Sequence, residues 1–329
     1  MKIINEPFII AEIGANHNGN LELAKKTILA AKKAGCDAVK FQSWDEKLFS
    51  KDFYSKNPPL IKQIKKYKTD FKNMKFLRYF AKKNKIRFGT AVFDKKQLSE
   101  ALRIKCDFIK IASMDINNTY LLNLVSKIQN LTIVSTGTGS EQEIAKAAKI
   151  FHKKKKRNVI FLHCVTLYPP KKLGLMNLNN IVSLKRITKF DTGYSDHSTL
   201  TVVPLIAATL GAKVIEKHFT LDKKMSGWDH SISANPKEME QLVKSTKLCR
   251  LLLGSYKRSI GKEEKKLSRI MRRGIYVFKK IKRGEKLNEK NIILQRPETQ
   301  LKANLYATLI NKISKNDLSP NTKLKLKDF

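Results

Sequence analysis

Short apolar segments recur along roughly the first 255 residues, and nearly every one ends in side chains that can take part in catalysis. Stretches with apolar residues at helical spacing lie between most of them, as at 21–31, 95–104 and 236–253. Strands that alternate with helices indicate a parallel sheet. The eight segments are Phe8–Ala11, Ala38–Val39, Arg87–Gly89, Phe108–Ile109, Thr132–Val134, Val159–Leu162, Gly193–Tyr194 and Val214–Ile215. A (β/α)8 TIM barrel carries its active site at the carboxyl ends of its eight strands, so the pattern predicts that fold and an enzyme.

An open, doubly wound parallel sheet is the competing architecture. Such a sheet usually carries a glycine-rich phosphate-binding loop after its first strand. Here the first apolar segment runs into Gly14–Gly19, whose sequence fits that fingerprint poorly. Eight strand–helix units also fit a closed barrel better than an open sheet, so the barrel is the preferred prediction.

The pattern changes near residue 255 and divides the chain into three parts. Residues 1–254 form the predicted TIM-barrel catalytic domain. Residues 255–268 are polar and rich in lysine, as expected of an interdomain linker. Residues 269–329 contain short apolar segments separated by turns and are predicted to be a small independent module. Within the barrel, the long stretch 45–70 has Pro58–Pro59 in its middle and is expected to form a lid or side wall over the barrel mouth.

The composition is strongly basic, with 67 Lys+Arg against 28 Asp+Glu and a formal net charge of +39. A balance of this kind suggests nucleic acid as a partner. However, the lysines are spread along the chain, and lysine dominates over arginine, which is the residue that bidentate phosphate recognition favours. We therefore attribute the charge to a general surface bias and expect no nucleic-acid partner, with a polyanion-binding protein as an alternative hypothesis.

The cysteines and the apolar segments indicate the compartment. Cys36, Cys106, Cys164 and Cys249 are scattered, without a Cys-x-x-Cys pair, which argues against a disulfide framework or a structural zinc site. The early apolar run is too short to span a bilayer, and it lacks the features of a signal peptide. We expect a cytoplasmic protein without a membrane partner.

Two histidines follow the seventh and eighth predicted strands. His197 lies just past Gly193–Tyr194, and His218 lies just past Val214–Ile215. Neighbouring strands are about 4.8 Å apart, so two imidazoles at these strand ends can share one metal ion. With only two protein ligands, such an ion would keep open positions for water and substrate, as a catalytic metal does. The alternative is a hydrogen-bonded pair of histidines without a metal.

Two lysines follow apolar segments at the second and fourth strands, Lys40 in Val-Lys-Phe-Gln and Lys110 in Ile-Lys-Ile-Ala-Ser. An unpaired buried ammonium group is costly, so each is expected to bind an anionic substrate, to form a Schiff base or to make a structural salt bridge. Four hydroxyl-bearing residues at other strand ends favour the first alternative, an anion clamp in which the lysines bind the phosphate and the carboxylate of a substrate. The four residues are Thr90, Ser113, Ser135 and Ser195.

Three carboxylates are candidates for acid–base catalysis or for binding substrate hydroxyls: Glu12, Asp115 and Asp229. Glu12 lies inside an apolar run, where an acidic side chain has no structural need to be. Its alternative is an ion pair with a barrel lysine. His17, His163 and His230 are weaker candidates, because each is as easily explained as an ordinary hydrogen-bonded histidine.

Taken together, these motifs resemble the N-acetylneuraminate (sialic acid) synthase family, which includes the legionaminic and pseudaminic acid synthases. The resemblance covers essentially the whole chain. In the barrel it is carried, in order, by Ile10–Gly19, Val39–Gln42, Lys110–Ser113, Ser135–Gly137, Leu162–Pro169, Gly193–His197 and Ile215–Thr220. The C-terminal module resembles the antifreeze-like (SAF) domain of these enzymes through Lys282–Glu285 and Gln295–Pro297.

The resemblance implies condensation of phosphoenolpyruvate with an N-acetyl amino sugar, either N-acetylmannosamine or a related diamino sugar. The products are a nine-carbon 2-keto acid and phosphate, released by C–O cleavage. It implies that His197 and His218 hold Mn²⁺ or Mg²⁺ and that the chain forms a domain-swapped homodimer. The implied ligands of phosphoenolpyruvate are Lys40, Thr90, Lys110, Ser113, Ser135 and Ser195, and the other implied catalytic or substrate-binding residues are Glu12, Gln42, Asp115, Thr166, Tyr168, Asp229 and Arg296.

The chain departs from the family pattern at several places. Asp115 stands where the family often has glutamate, and Gly89–Asp94 differs from the usual Thr-Pro-Phe-Asp. Ser226–His230 replaces the commoner Pro-Gly-Pro-Asp-His, and 45–70 diverges strongly. The resemblance places these last two stretches near the sugar, so it leaves the identity of the sugar open.

A Schiff-base aldolase on the same barrel, with Lys40 or Lys110 as nucleophile, is the main rival function. It predicts activity without metal and inactivation by borohydride in the presence of a carbonyl substrate. The pair His197 and His218 argues against it, because that mechanism has no use for two convergent metal ligands.

Overall fold

A computed structural model describes residues 7–43 and 45–329. The chain forms two compact units, one ending at Gly254 and the other covering Ser255–Phe329. In the first unit, eight parallel strands pair in chain order, and β1 pairs with β8 to close the barrel. The strands are β1 (Phe8–Gly14), β2 (Ala38–Gln42), β3 (Arg87–Ala91), β4 (Phe108–Ile111), β5 (Leu131–Ser135), β6 (Val159–Cys164), β7 (Asp191–Asp196) and β8 (Val214–His218). The predicted (β/α)8 TIM barrel is confirmed.

Ten helices belong to this unit in the described part of the chain. They are α1 (Leu21–Lys33), α2 (Lys51–Lys56), α3 (Pro58–Tyr67), α4 (Phe71–Lys83), α5 (Lys95–Arg103), α6 (Thr119–Val125), α7 (Glu141–Lys153), α8 (Asn180–Thr188), α9 (Val202–Thr209) and α10 (Pro236–Leu253). Local sequence sets where several of them begin. Ser140 and Glu143 form a capping box at the start of α7, and Asn235 and Glu238 form another at α10.

The period-two alternation of the strands separates two cores. Side chains that point out of the barrel pack against the helices in one large cluster. Side chains that point inward form a second cluster made of Phe8, Ile10, Ala38, Phe108, Leu131, Ile133, Ile160, Leu162 and Val214. Two residues further along most of these strands, the inward position becomes polar, and this change places the functional side chains on top of the inner core.

The stretch 45–70, predicted as a lid or side wall, contains α2 and α3. Ile61, Ile64 and Tyr67 on α3 are buried, so this segment is packed structure. Within the described residues, no helix is long and apolar enough to cross a membrane.

The second unit contains α11 (Lys262–Met271), α12 (Tyr306–Leu309) and an antiparallel pair, β9 (Gly274–Val277) with β10 (Ile292–Gln295). Its own apolar core includes Ile275, Ile281 and Leu287. Most of α11 falls inside 255–268, the stretch expected to be a linker. Leu267, Ile270 and Met271 lie at helical spacing on α11 and are exposed, so the second half of the predicted linker is helical.

Candidate active site

A cavity opens at the carboxyl ends of the barrel strands. The strand register sets its floor, because it places Glu12 opposite both Lys40 and His218, and Ser195 opposite Glu216. Most of the predicted site residues line this cavity: Glu12, Lys40, Gln42, Lys110, Ser113, Ser135, Thr166, Tyr168, Ser195, His197 and His218.

Two buried lysines and two buried carboxylates form an ion-paired network on the cavity floor. Lys40 Nζ lies 2.9 Å from Glu12 Oε2 and 3.6 Å from Glu216 Oε2. Lys110 Nζ lies 3.0 Å from Glu216 Oε1. Gln42 donates a hydrogen bond to the other oxygen of Glu12, at 2.7 Å. Each buried ammonium group therefore has a carboxylate partner, as buried charges require.

The two carboxylates differ in how easily they take up a proton. Burial raises the pKa of Glu12 to about 7, even though Lys40 acts in the opposite direction. Burial also opposes ionisation of Glu216, but Lys110 and Lys40 together lower its pKa to about 2. Burial disfavours the ammonium form of Lys40, but Glu12 and Glu216 outweigh it and raise the pKa of Lys40. Near neutral pH, Glu12 is therefore the group that can release or accept a proton.

Hydroxyl groups stand above this network. Ser195 Oγ donates to Glu216 Oε1 at 3.0 Å. Ser113 Oγ accepts a hydrogen bond from the backbone N–H of Gly137 at 3.1 Å and lies 2.9 Å from Cys164 Sγ. Ser135 Oγ is buried and has no hydrogen-bond partner among the described residues. A buried hydroxyl without a partner is costly, so Ser135 is positioned to bind a polar group of a ligand.

His197 and His218 lie side by side in the cavity, with ring centroids 5.5 Å apart. Burial lowers the pKa of His197 to about 4 and that of His218 to about 3. Both rings are therefore neutral near pH 7, which is the form that binds metal. His197 donates from Nδ1 to the carbonyl oxygen of Val165 at 2.7 Å, which leaves its Nε2 unprotonated.

The two imidazoles fit a shared divalent cation. His218 Nδ1 is buried without a hydrogen-bond partner within the described residues, and Asp229 Oδ2 lies 3.6 Å from it. No group of three or more His, Cys, Asp or Glu side chains in residues 7–43 and 45–329 is arranged to hold a metal. The protein would thus supply two imidazole ligands, and the remaining positions would be open to water and substrate, as in catalytic sites.

The loop after β6 lines the mouth of the cavity, and Asp229 of the loop after β8 lies beside His218. The Tyr168 ring stacks on His197, with centroids 4.1 Å apart, and meets His218 edge-on at 6.1 Å. Thr166 is exposed at the same rim. Burial raises the pKa of the Asp229 carboxyl. An aromatic face and a hydroxyl at the rim, with a carboxyl beside His218, suit a polyhydroxylated ligand.

Thr90 is a correction to the sequence prediction. Thr90 lies two residues after Phe88 on β3, so the two side chains point to the same side of the strand. Phe88 packs in the outer core, and the Thr90 side chain therefore points away from the barrel interior. The hydroxyl bonds the Phe41 carbonyl oxygen at 3.3 Å and Ser43 Oγ at 3.1 Å, and Thr90 lines a separate pocket beside α4 and α5. The inward position on β3 is Ala91, so this structure does not support a substrate contact by Thr90.

Three further predicted residues, Asp115, Asp229 and Arg296, are not among those that line the cavity. Asp229 lies beside it, with Oδ2 3.6 Å from His218 Nδ1. The Asp115 carboxylate accepts a hydrogen bond from the Asn118 amide at 2.9 Å in the turn after β4, and burial raises its pKa. A local turn contact accounts for its position. Arg296 belongs to the second unit, where it is exposed at the end of β10 and contacts Met271.

Glu216 and Cys164 line the cavity and were missed as site residues. The signal for Glu216 was available, because it lies two positions before His218 on β8 and therefore faces the same side. The residue between them, Lys217, points outward and pairs with Asp196 at 2.8 Å. Cys164 occupies the corresponding inward position on β6, two residues after Leu162.

Comparison with known proteins decides the family. The model of the NeuB family matches residues 27–258. This chain belongs to the NeuB family. The N,N'-diacetyllegionaminic acid synthase of Campylobacter jejuni is 36% identical over 323 residues, which cover 94% of this chain and 96% of that enzyme. The pseudaminic acid synthase of Campylobacter jejuni is 35% identical over 332 residues, covering 98% and 96%.

A solved structure of the same family agrees with the fold. The sialic acid synthetase from Leptospira borgpetersenii, determined in complex with citrate, is 38% identical and superposes with a TM-score of 0.75. The match covers 80% of this chain and 90% of that chain. This NeuB-family chain is therefore an enzyme, a synthase of the condensing type found among its relatives.

Proposed function

We propose that this NeuB-family enzyme condenses phosphoenolpyruvate with an N-acetylated amino sugar. The products would be a nine-carbon 2-keto acid and inorganic phosphate. The observation that carries the proposal is the composition of the cavity floor. Two buried ammonium groups, Lys40 and Lys110, face a space next to two neutral imidazoles, as does the hydroxyl of Ser135, which has no partner among the residues described. A small anion with a phosphate and a carboxylate matches these donors.

In this proposal, Lys40, Lys110, Ser113, Ser135 and Ser195 bind the phosphate and the carboxylate of phosphoenolpyruvate. They hold its C3 so that it forms a bond to the aldehyde carbon of the open-chain sugar. Water then adds at C2, and the tetrahedral intermediate expels phosphate by breaking the C–O bond. One water molecule is consumed for each phosphate released, and the second substrate keeps all its carbon atoms.

Glu12 and the rim residues would serve the second substrate. With a pKa near 7, Glu12 can exchange a proton at the pH where the enzyme works. Gln42 fixes the carboxyl orientation through its 2.7 Å hydrogen bond. Thr166, Tyr168 and Asp229 would bind sugar hydroxyl and acetamido groups at the rim.

We also propose that His197 and His218 hold Mn²⁺ or Mg²⁺. Their neutral rings, and the unpartnered Nδ1 of His218 within the described part of the chain, support this assignment. Such an ion would act as a Lewis acid toward the sugar aldehyde. The protein's own contribution is the orientation of His197 by the Val165 carbonyl oxygen.

The structure favours the anion clamp over the Schiff-base alternative. A nucleophilic lysine needs a lowered pKa, whereas the pKa of Lys40 is raised by Glu12 and Glu216 against the effect of burial. Lys110 is ion-paired with Glu216. Both lysines are paired with carboxylates.

Three further assignments rest on the family resemblance. They are an SAF-type fold for the second unit, a swapped homodimer to which Arg296 contributes, and a cytoplasmic location. Arg296 is exposed, and all four cysteines are free thiols, as expected in a reducing compartment. Sedimentation of the purified protein at the mass of a monomer would contradict the homodimer.

The test is phosphate release from phosphoenolpyruvate by metal-stripped protein, with Mn²⁺ or Mg²⁺ added back and a panel of N-acetylated hexosamines. A sugar with two acetamido groups belongs in the panel, because the name of one relative describes a product with two N-acetyl groups. Metal-dependent release with one sugar is expected. Release without metal would contradict the roles of His197 and His218. Inactivation by borohydride in the presence of the sugar would support the Schiff-base enzyme instead.

A matched pair of serine variants tests the anion clamp. Ser135→Ala should raise KM for phosphoenolpyruvate by roughly 10- to 100-fold, because a hydrogen bond to a charged group contributes about 1.5–3 kcal/mol. Ser245→Ala, on the exposed side of α10, should leave KM unchanged. Equal KM values for the two variants would remove Ser135 from the phosphoenolpyruvate site.

A further inference from the structure

Three segments at the mouth of the barrel are joined by side-chain contacts, and one of them carries Asp229. We call them the β1 turn (Asn16–Asn20), the α3 wall (Pro58–Thr69) and the β8 loop (Thr220–Ser233). The β8 loop contains Ser226–His230, and the α3 wall lies within 45–70; both are among the places where the chain departs from the pattern of the family that it resembles. Their contacts therefore bear on what is particular to this enzyme.

The β8 loop is bonded to the β1 turn. Asn18 Nδ2 donates to the Ser226 carbonyl oxygen at 2.9 Å, and Asn18 Oδ1 lies 3.3 Å from His230 Nε2. The other ring nitrogen of His230 lies 2.7 Å from Thr220 Oγ1 at the start of the loop. His230 thus connects the two ends of the loop with the turn, and Asp229 lies beside it in sequence.

A buried asparagine supports Asp229 from beneath. Asn16 Nδ2 donates to the Phe219 carbonyl oxygen at 2.9 Å and to Ser233 Oγ at 2.8 Å. Ser233 Oγ donates in turn to the backbone oxygen of Asp229 at 2.5 Å. The backbone of Asp229 is therefore fixed, while its carboxylate lies 3.6 Å from His218 Nδ1.

The α3 wall holds the other side of the loop. Trp228 Nε1 donates a hydrogen bond to Gln63 Oε1, and the Trp228 ring meets buried Tyr67 edge-on at 5.2 Å. The wall is itself closely packed on the β1 turn, since a Cβ atom at Gly19 would lie 2.1 Å from the Lys66 carbonyl oxygen. The wall is thus a fixed support for Trp228.

We propose that Trp228 is a positioning residue that ties the β8 loop to the α3 wall and so fixes the Asp229 carboxylate beside His218. The inference rests on the proposed function, which places the amino sugar at Asp229. The indole ring contacts Gln63 and Tyr67 on the wall, so Trp228 acts through the position of Asp229. Binding of the sugar, and discrimination between sugars, then depends on a contact outside the cavity.

A double-mutant cycle tests this role. Trp228→Phe keeps a ring against Tyr67 and removes the indole N–H, and Gln63→Leu removes its acceptor. Each variant should raise KM for the sugar about fivefold, the factor that corresponds to a typical net hydrogen bond of ~1 kcal/mol. The double variant should show no more than the larger single effect, because both changes remove the same bond. KM for phosphoenolpyruvate should stay at the wild-type value, as should every constant in the control Tyr79→Phe, whose ring is 65% exposed on α4.

Hydrogen–deuterium exchange gives a readout that needs no turnover. In both single variants, peptides covering 220–233 should exchange faster than in the wild type, while peptides from β4 and β5 should not change. An unchanged KM for the sugar, an equal rise in KM for phosphoenolpyruvate, or additive effects in the cycle would overturn the proposal. If the wild type turns over no sugar but loop exchange rises in the variants, the proposed function fails and the positioning of Asp229 stands. Unchanged loop exchange overturns the positioning role whatever the activity.

Discussion

The ion-paired floor predicts that anion binding depends on the protonation state of one carboxyl group. Glu12 has a pKa raised by burial to about 7, and in its ionised form it competes with an incoming anion for Lys40. Once Glu12 is protonated, the charge of Lys40 is no longer compensated by it. The Lys110–Glu216 pair is neutral as a unit, and the low pKa of Glu216 keeps that carboxylate ionised throughout. Phosphoenolpyruvate should therefore bind best to the form with protonated Glu12.

The direction and the size of the change in Kd with pH follow from the uptake of one proton on binding. Above about pH 7, binding requires proton uptake by Glu12, so Kd for phosphoenolpyruvate should rise about tenfold per pH unit and about 100-fold by roughly pH 9. His197 and His218 have pKa values of about 4 and about 3 and stay neutral over this range. Phosphate monoesters complete their second ionisation near pH ~6, so the ligand adds no slope of its own.

The assay is calorimetric titration of phosphoenolpyruvate in the absence of sugar, which reports binding without turnover. Glu12→Gln replaces the titrating group with a permanently neutral amide and should give a Kd that is flat with pH. Glu22→Gln, an exposed carboxylate on α1 paired with Lys25, is the matched control and should keep the wild-type slope. A flat wild-type profile, or an undiminished slope in Glu12→Gln, would refute the reasoning.

The raised pKa of Glu12 also predicts how the free energy of unfolding changes with pH. Because the folded-state pKa of Glu12 lies above its ordinary value of 4.5, the native state retains a proton that the unfolded state has lost. This contribution to the free energy of unfolding falls as pH rises from about 4.5 to about 7. Over that window, Glu12→Gln should lose less stability than the wild type in urea denaturation. A parallel decline in both proteins would contradict the raised pKa.

Two other substitutions test the packing around the site. Gly137→Ala would place a Cβ atom 2.7 Å from Cys164 Sγ at the cavity wall, and it should lower kcat/KM about 100-fold, the order of loss that a ~1 Å misplacement causes. Gly174→Ala, whose Cβ would meet nothing within 4 Å, is the control and should leave kcat/KM unchanged. Equal kcat/KM values for the two variants would show that the residues around Gly137 can move to accept the methyl group. Phe108→Ala in the inner core should lower the free energy of unfolding by about 3–5 kcal/mol, measured by urea denaturation, and a change below about 1 kcal/mol would contradict the tight inner packing with Phe8.

The barrel was predictable because each strand carries its own signal. A short apolar segment that ends in polar groups, followed by an amphipathic stretch, has few other solutions than a βα unit. The site residues at strand ends were predictable for the same reason. The carboxyl ends of parallel strands meet at one rim of a closed barrel, so residues as distant in sequence as Lys40 and His218 had to converge.

The misplacement of Thr90 shows where this reasoning ends. Strand β3 spans only Arg87–Ala91. Successive side chains of a strand point to opposite faces, and in so short a strand the sequence does not say which of the two faces points into the barrel. The structure resolves the choice by packing, because Phe108 of the neighbouring strand fills the space beside Gly89. A Cβ atom at Gly89 would come within 2.2 Å of that ring. The inner face of β3 therefore carries the small residues Gly89 and Ala91, and Thr90 faces outward.

The charge of the chain and the charge of the site are separate matters. The formal charge of +39 produces a positive field that can steer anions toward the barrel, but the floor itself has two carboxylates against its two lysines. Buried ammonium groups without partners would be costly, so the carboxylates stabilise the empty site. The two carboxylates differ in one respect: Glu216 stays ionised beside Lys110 at any working pH, whereas Glu12 can give up its ion pair with Lys40 by taking up one proton. Glu216 Oε2, 3.6 Å from Lys40 Nζ, then remains as the carboxylate of Lys40. A site built only of lysines would lack a carboxyl group that titrates near pH 7, and in the proposed function Glu12 supplies that group.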